Sequence, residues 1–225
     1  SDAFEQLLSR RVNGEPIAYI RGWQEFWSLR FEVGPGVLIP RPETELLVEQ
    51  ALGLELGDCA TVLDLGTGSG CIALSLAAER TGWRITAVDQ SLDALAYTKR
   101  NAAQLAKGNV ELLQSNWFDQ LGHRQFDLIV SNPPYIAAGD PHLYEGDVQS
   151  EPDAALASGP LGLDDIGYIV EHAKHFLISG GTLMIEHGFD QAESVAELLR
   201  DSEYNRIQHF KDLQGHIRVT AAQLA

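Results

Sequence analysis

Along most of the chain, apolar residues switch between the alternation of a strand and the three-to-four spacing of a helix, with glycine, proline or asparagine at many changeovers. From residue 61 onward the short runs TVLDLG (61–66), RITAVD (84–89), NVELLQSN (109–116), FDLIVSN (126–132), TLMIEHG (182–188), RIQHFKDL (206–213) and HIRVTAA (216–222) predict seven strands. Helical spacing in CIALSLAAER (71–80), SLDALAYTKRNAAQLA (91–106), DIGYIVEHAKHFLI (165–178) and QAESVAELLRD (191–201) predicts helices among them. Strands alternating with helices imply an α/β fold with a doubly wound, mostly parallel sheet, whose ligands sit beyond the carboxyl ends of the strands.

The first sixty residues read differently. FEQLLSRRV (4–12) has helical spacing and stops at Asn13-Gly14, while EFWSLRFEV (25–33) alternates, is rich in aromatics and predicts a strand or β-hairpin closed by Gly34 to Gly36. A helix then opens near Pro42, where proline is welcome in the first turn and Glu43 and Glu45 favour the positive end of the helix dipole.

Composition adds limits rather than a class. A chain of 225 residues, 44% hydrophobic and 21% charged, suits one large domain or a domain with a small appendage. The formal net charge of −16 repels phosphate backbones and anionic membranes, so a neutral or basic protein partner is expected, with no direct nucleic-acid binding and no membrane. No apolar run approaches the roughly 20 residues of a spanning helix, which reads as cytoplasmic. Cys59 and Cys71 lack the spacing of a disulfide framework or a zinc site and are expected as small buried side chains. His172 and His175 share a helical face without a third ligand, so no metal is expected.

Two stretches carry chemistry. In DLGTGSG, Gly66, Gly68 and Gly70 occupy the turn between a strand and its helix, where missing Cβ atoms let a ligand approach the backbone. Asp89 ends the next strand, 19 residues after Gly70, where a carboxylate can accept bonds from ribose hydroxyls. The spacing is G-x-G-x-G, with Cys71 where a third dinucleotide-fingerprint glycine would fall, and Asp64 would face a pyrophosphate badly but suits the ammonium of a methionine. S-adenosylmethionine is therefore favoured over NAD.

The second stretch, SNPPY (131–135), ends the fourth of these strands on the same sheet edge. Each proline lacks an N–H, and Pro133 restricts Asn132 to extended conformations, so the turn is stiff and rich in acceptors. The Asn132 side-chain oxygen and the Pro133 carbonyl can each take one hydrogen of a weakly nucleophilic NH₂ group, and Tyr135 offers a flat face for stacking.

With GEPIAYIRGWQEFW, VLIPRPETELLVEQAL, VLDLGTGSGCIALSLA, VSNPPYI and DPHLYEGDVQSEP, the chain resembles the class I S-adenosylmethionine-dependent methyltransferases of Rossmann-like fold, and more closely the release factor glutamine methyltransferases of the PrmC/HemK family. The resemblance implies methyl transfer to the amide nitrogen of the glutamine in the GGQ loop of peptide chain release factors, with S-adenosylhomocysteine as product. It implies that Gly66, Thr67, Gly68, Ser69 and Gly70 hold the methionine part and Asp89 the ribose. Trp117 then lies by the adenine, with Asn116 where relatives often have Asp, and Asn132, Pro133, Pro134 and Tyr135 bind the glutamine side chain.

It also implies three parts: residues 1–22 as the remnant of an N-terminal helical domain and a linker, 23–40 as a hairpin and lid segment, and 41–225 as the methyltransferase domain. Rival readings are a ribosomal-protein glutamine methyltransferase, an adenine N6-methyltransferase acting on a flipped base, and a nucleoside-sensing module without activity. Arg41 either contacts substrate or ties the lid segment to the sheet. His187 either borders the pocket or is a hydrogen-bonded structural residue, the favoured reading.

Overall fold

The computed structural model of the protein describes residues 2–105 and 107–225; Ser1 and the predicted helix end at Ala106 lie outside the described residues. Helices α1 (Asp2–Val12) and α2 (Ile17–Arg21) precede a hairpin of β1 (Trp23–Phe26) and β2 (Leu29–Glu32). Its two-residue turn places both Trp27 (φ 53°) and Ser28 (φ 55°) in the left-handed region that a right-twisted hairpin demands. Bonds from outside offset that strain: the Trp27 backbone N–H donates to Glu45 Oε1 (2.7 Å) and its indole N–H to Glu79 (3.0 Å). A 3₁₀ turn over Pro42–Thr44 leads into α3 (Glu45–Leu52).

The remainder alternates as the sequence predicts: β3 (Thr61–Leu65), α4 (Cys71–Glu79), β4 (Arg84–Asp89), α5 (Leu92–Leu105), β5 (Val110–Gln114), β6 (Phe126–Ser131), α6 (Asp164–Ala173), β7 (Leu177–Glu186), α7 (Ala192–Asp201), β8 (Tyr204–Lys211) and β9 (Ile217–Leu224). The seven-stranded sheet runs β5-β4-β3-β6-β7-β9-β8, parallel from β5 to β7 and antiparallel at the β7–β9 and β9–β8 pairings. Pleating sorts the core into two layers. Val62, Leu128, Val130 and Met184 face α3 and α4, whereas Leu63, Leu65, Ile129 and Ile185 face α6 and α7. Both faces are covered, which is why these strands read as continuous apolar runs.

Three expectations shift. Helical spacing continues to residue 178, yet α6 stops at Ala173, because the Phe176 carbonyl accepts the Phe126 N–H (2.8 Å) and Leu177 already pairs with Phe126 in the sheet. Gly180 (φ 77°) then accommodates a register shift before the pairing resumes at Leu128 and Thr182. Within 136–163, three 3₁₀ turns (Pro141–Tyr144, Gly146–Ser150, Asp153–Ala155) occupy the connection between β6 and α6. Cys59 is exposed rather than buried, since the loop before β3 runs over the surface; Cys71 is partly buried, and its thiol is pushed up to about 12 by burial.

Candidate active site

Strand order reverses between β3 and β6, and beyond their carboxyl ends lies a cleft of about 210 Å³. Gly66, Gly68, Asp89, Asn116, Trp117, Asn132 and Pro134 all line it, so the sheet brings together residues that the sequence separates by up to 68 positions.

The glycine turn is held from behind. Gly66, Gly68 and Gly70 have φ of 71°, 58° and 84°, and a Cβ on Gly70 would stand 2.6 Å from the Thr98 methyl. Thr67 N–H donates to Val88 O (2.9 Å) and Gly70 N–H to Thr67 O (2.8 Å), while the Thr98 hydroxyl donates to Gly68 O (2.7 Å) and the Asn101 amide to Ser69 O (2.8 Å). Thr67 and Ser69 are buried, and the turn meets the cleft through Gly66 and Gly68.

Asp89 accepts from the N–H of Gly68 through Oδ2 (2.9 Å) and of Ser91 through Oδ1 (2.9 Å). Burial nonetheless holds its carboxyl above the usual range. A carboxylate has about four acceptor positions, so two remain for hydroxyl donors in the cleft. Asp64 stands elsewhere than the sequence suggests: it does not line the cleft but is buried beneath the turn, accepting from the Thr67 hydroxyl (2.6 Å) and Ala73 N–H (3.2 Å). Its other oxygen has no partner among the described residues, and burial pushes its carboxyl up to about 7.

Opposite the turn, Trp117 lies with its ring 3.4 Å from where a Gly66 Cβ would be, on a left-handed backbone (φ 47°) that strains a bulky residue by roughly 1–2 kcal/mol. The Ser115 hydroxyl sustains it, donating to Trp117 O (2.9 Å) and accepting from Gln120 N–H (3.1 Å). The cleft has the carboxylates of Asp89 and Asp165 and, among the described residues, no lysine or arginine in its lining. That donor set suits a cationic, hydroxyl-bearing nucleoside and opposes a pyrophosphate.

Asn132 donates from Nδ2 to the Thr44 hydroxyl (3.1 Å), and its Oδ1 accepts no bond among the described residues. The Pro133 carbonyl likewise accepts no protein bond among them. Pro133 is buried, and Tyr135 packs into the core layer against α6 and α7, its hydroxyl 3.4 Å from Glu186 Oε1 and its carbonyl accepting from Gln191 Nε2 (3.0 Å). Of the four, only Asn132 and Pro134 line the cleft. Burial, then the Glu186 charge, raise the Tyr135 phenol well above its ordinary value.

His187 is a structural residue. Its Nδ1 meets Gly188 O (2.8 Å) and its Nε2 the Thr220 hydroxyl (2.7 Å), and burial lowers its pKa. Arg41 ties the stretch after β2 to the connection between β6 and α6: its guanidinium pairs with the buried Glu151, which also accepts the Ile39 N–H (3.0 Å).

Among curated proteins, the chain is 51% identical to the release factor glutamine methyltransferase of Salmonella typhimurium over 217 residues, 96% of this chain and 78% of that one. Its identity to the Pseudomonas aeruginosa protein of the same name is 52% over 225 residues, 100% of this chain and 82% of that one. The chain belongs to the release factor glutamine methyltransferase family. The family model for the methyltransferase small domain matches residues 42–145. In fold, it is similar to a methyltransferase from Pyrococcus furiosus, with a TM-score of 0.66 at 20% identity and 96% of both chains covered.

Several residues of this cleft and its surroundings escape sequence reasoning: Val37 and Leu38 from the stretch after β2, Ala154 and Asp165 from the far wall, Thr44 against the Asn132 amide and Glu186 against the Tyr135 hydroxyl. Thr44 and Val37 sit within the VLIPRPETE stretch that carries the resemblance, which was the available signal. Glu186 had none beyond lying within a predicted strand.

Proposed function

We propose that the protein transfers the methyl group of S-adenosylmethionine to the side-chain amide nitrogen of a glutamine in a peptide chain release factor, the glutamine of its GGQ loop. The observation that carries this reading is the free Asn132 carbonyl, fixed by Thr44 at the rim of a cleft built from the glycine turn and Asp89. When bound, S-adenosylmethionine supplies an electrophilic sulfonium methyl and leaves as S-adenosylhomocysteine.

Around it, Asp89 takes the ribose hydroxyls, Asn116 and Trp117 flank the base, and Gly66 to Gly70 accommodate the methionine part. Asn132 Oδ1 and the Pro133 carbonyl accept the two hydrogens of the substrate amide. Held so, the nitrogen is drawn toward a pyramidal shape with its lone pair released from the amide π system, and the same two oxygens stabilise positive charge as it develops there. The methylated nitrogen is acidic and loses its extra proton to water, so no strong base is required.

Residues 23–40 serve as the lid of the cleft, clamped to its far wall through Arg41 and Glu151. Among the described residues no helix is long and apolar enough to cross a membrane, and with the −16 charge this supports action on a protein substrate in the cytoplasm. Incubation with labelled S-adenosylmethionine and separate release factor, ribosomal protein and DNA substrates tests the reading. Label is expected on the release factor and lost when its GGQ glutamine is replaced; label only on the other substrates overturns it.

A further inference from the structure

Both residues between Asn132 and Tyr135 are prolines, so the clamp can be hydrogen-bonded only at its ends and through its carbonyls. Ring closure fixes φ of Pro133 and Pro134, and a following proline confines Asn132 and Pro133 to extended conformations. The segment therefore behaves as a short stiff rod whose aim is set by what holds its two ends. At one end the Asn132 amide meets the Thr44 hydroxyl (3.1 Å). At the other the Tyr135 carbonyl accepts from Gln191 Nε2 (3.0 Å), and the same peptide unit donates through the Ile136 N–H to Leu156 O (2.9 Å).

Gln191 stands just before α7, where a capping residue belongs, yet its side chain makes no cap bond. Its Oε1 accepts the Gly188 N–H (2.8 Å), while its Nε2 faces the carbonyls of Tyr135, Leu161 (3.2 Å) and Gly162 (3.3 Å). With a donor on one side and three carbonyls on the other, the amide has one orientation. Its surroundings are close-packed: a Cβ on Gly162 would stand 2.1 Å from Tyr135 O and 2.9 Å from Gln191 Nε2. One side chain thus joins the turn after β6, the loop before α6 and the loop after β7, without itself lining the cleft. We propose that Gln191 is a positioning residue for methyl transfer: by pinning the Tyr135 carbonyl it fixes the aim of the proline rod, and with it the Asn132 and Pro133 oxygens that receive the substrate amide.

This inference rests on the methyl-transfer reading, so its test includes a measurement that does not. The Ile136 N–H shares a peptide plane with the Tyr135 carbonyl, and its NMR hydrogen exchange in the ligand-free protein reports the pin. The Thr67 N–H, bonded to Val88 O in the glycine turn, reports the other half of the cleft. Gln191→Met keeps the bulk and removes the donor. It is expected to speed exchange at Ile136 at least about tenfold and at Thr67 less than about twofold, and to lower kcat on release factor about 10²-fold, the scale of a small misplacement, with cofactor Kd within about twofold. Gln191→Glu keeps an acceptor for the Gly188 N–H, but its second oxygen regains a donor only when protonated. Its kcat relative to wild type is therefore expected to rise at least about threefold from pH 8 to pH 6, while that of Gln191→Met stays flat. The proposal is overturned if Gln191→Met leaves Ile136 exchange or kcat unchanged, if Thr67 exchange or cofactor Kd changes in parallel, or if the two variants share one pH profile. Wild-type protein that methylates no release factor would refute the functional reading, while Ile136 exchange would still decide whether Gln191 pins the clamp.

Discussion

The two halves of the cleft are built on opposite plans. On the β3–β4 side the cleft is lined largely by backbone, Gly66 and Gly68 of a turn of left-handed glycines that is fixed by hydrogen bonds from Val88, Thr98 and Asn101, and Asp89 already accepts from two N–H groups. On the β6–β7 side the acceptors we propose for the substrate amide are the Asn132 side-chain oxygen, whose amide is tied to Thr44 from 88 residues away, and the Pro133 carbonyl, neither paired among the described residues. A cofactor that is the same in every turnover is met by a turn held in place from behind. A reacting amide is met by acceptors left unpaired until the substrate arrives.

That contrast breaks most sharply at Asn132. Asn132→Ala is expected to reduce kcat by about 10²–10³-fold, the scale for removing one oriented dipole at a developing charge, and to leave the cofactor Kd nearly unchanged in a calorimetric titration. Affinity lost in parallel with rate would show that the two halves are not separate.

Asp89→Ala tests the other half. Loss of two hydrogen bonds to a charged acceptor is expected to weaken cofactor binding by about 10–100-fold, with kcat at saturating cofactor much less affected. Because Asp89 also holds the N–H groups of Gly68 and Ser91, the variant is expected to melt at a lower temperature by calorimetry.

The smallest effect concerns Asp64, beneath the glycine turn. Its carboxyl rises from an ordinary 3.8 to about 7 on burial, with its Thr67 and Ala73 bonds opposing and Asp89 adding to the rise. Between those two pH values the folded protein holds a proton that the unfolded chain has released, so stability from this group decreases as pH rises through the window. The full cost of the buried charge is present above about 7. Asp64→Asn should therefore flatten the fall in Tm between pH 5 and 8 seen in thermal scans; an unchanged slope would mean that Asp64 titrates normally.

Local features were the legible ones. The turn Gly66 to Gly70, Asp89 and Asn132 stand at strand ends that the apolar runs mark, with glycines in the first and prolines after the last, so fold class and cleft could be read together. Thr44, Glu151 and Glu186 were illegible because their roles depend on meetings across 51 to 112 residues. Nothing in PETELL announces that a threonine hydroxyl will sit under an asparagine. For the same reason helical spacing overran α6, where pairing with Phe126 overrides local preference. The strand ends alone also gave no sign that Tyr135 would turn into the core, since either side of a sheet edge is open to a residue following two prolines.

Asn101, buried in α5, accepts the Glu32 N–H (2.7 Å) and donates to the Glu32 carbonyl (3.1 Å) and to Ser69 O (2.8 Å). One side chain thus completes the edge of the hairpin as a further strand would and fastens it to the back of the glycine turn. The hairpin and the cradle form one frame, and the 146–155 segment is tied to the chain before it through the Glu151 carboxylate, which meets Arg41 and the Ile39 N–H, and through Asp147, which pairs with Arg11.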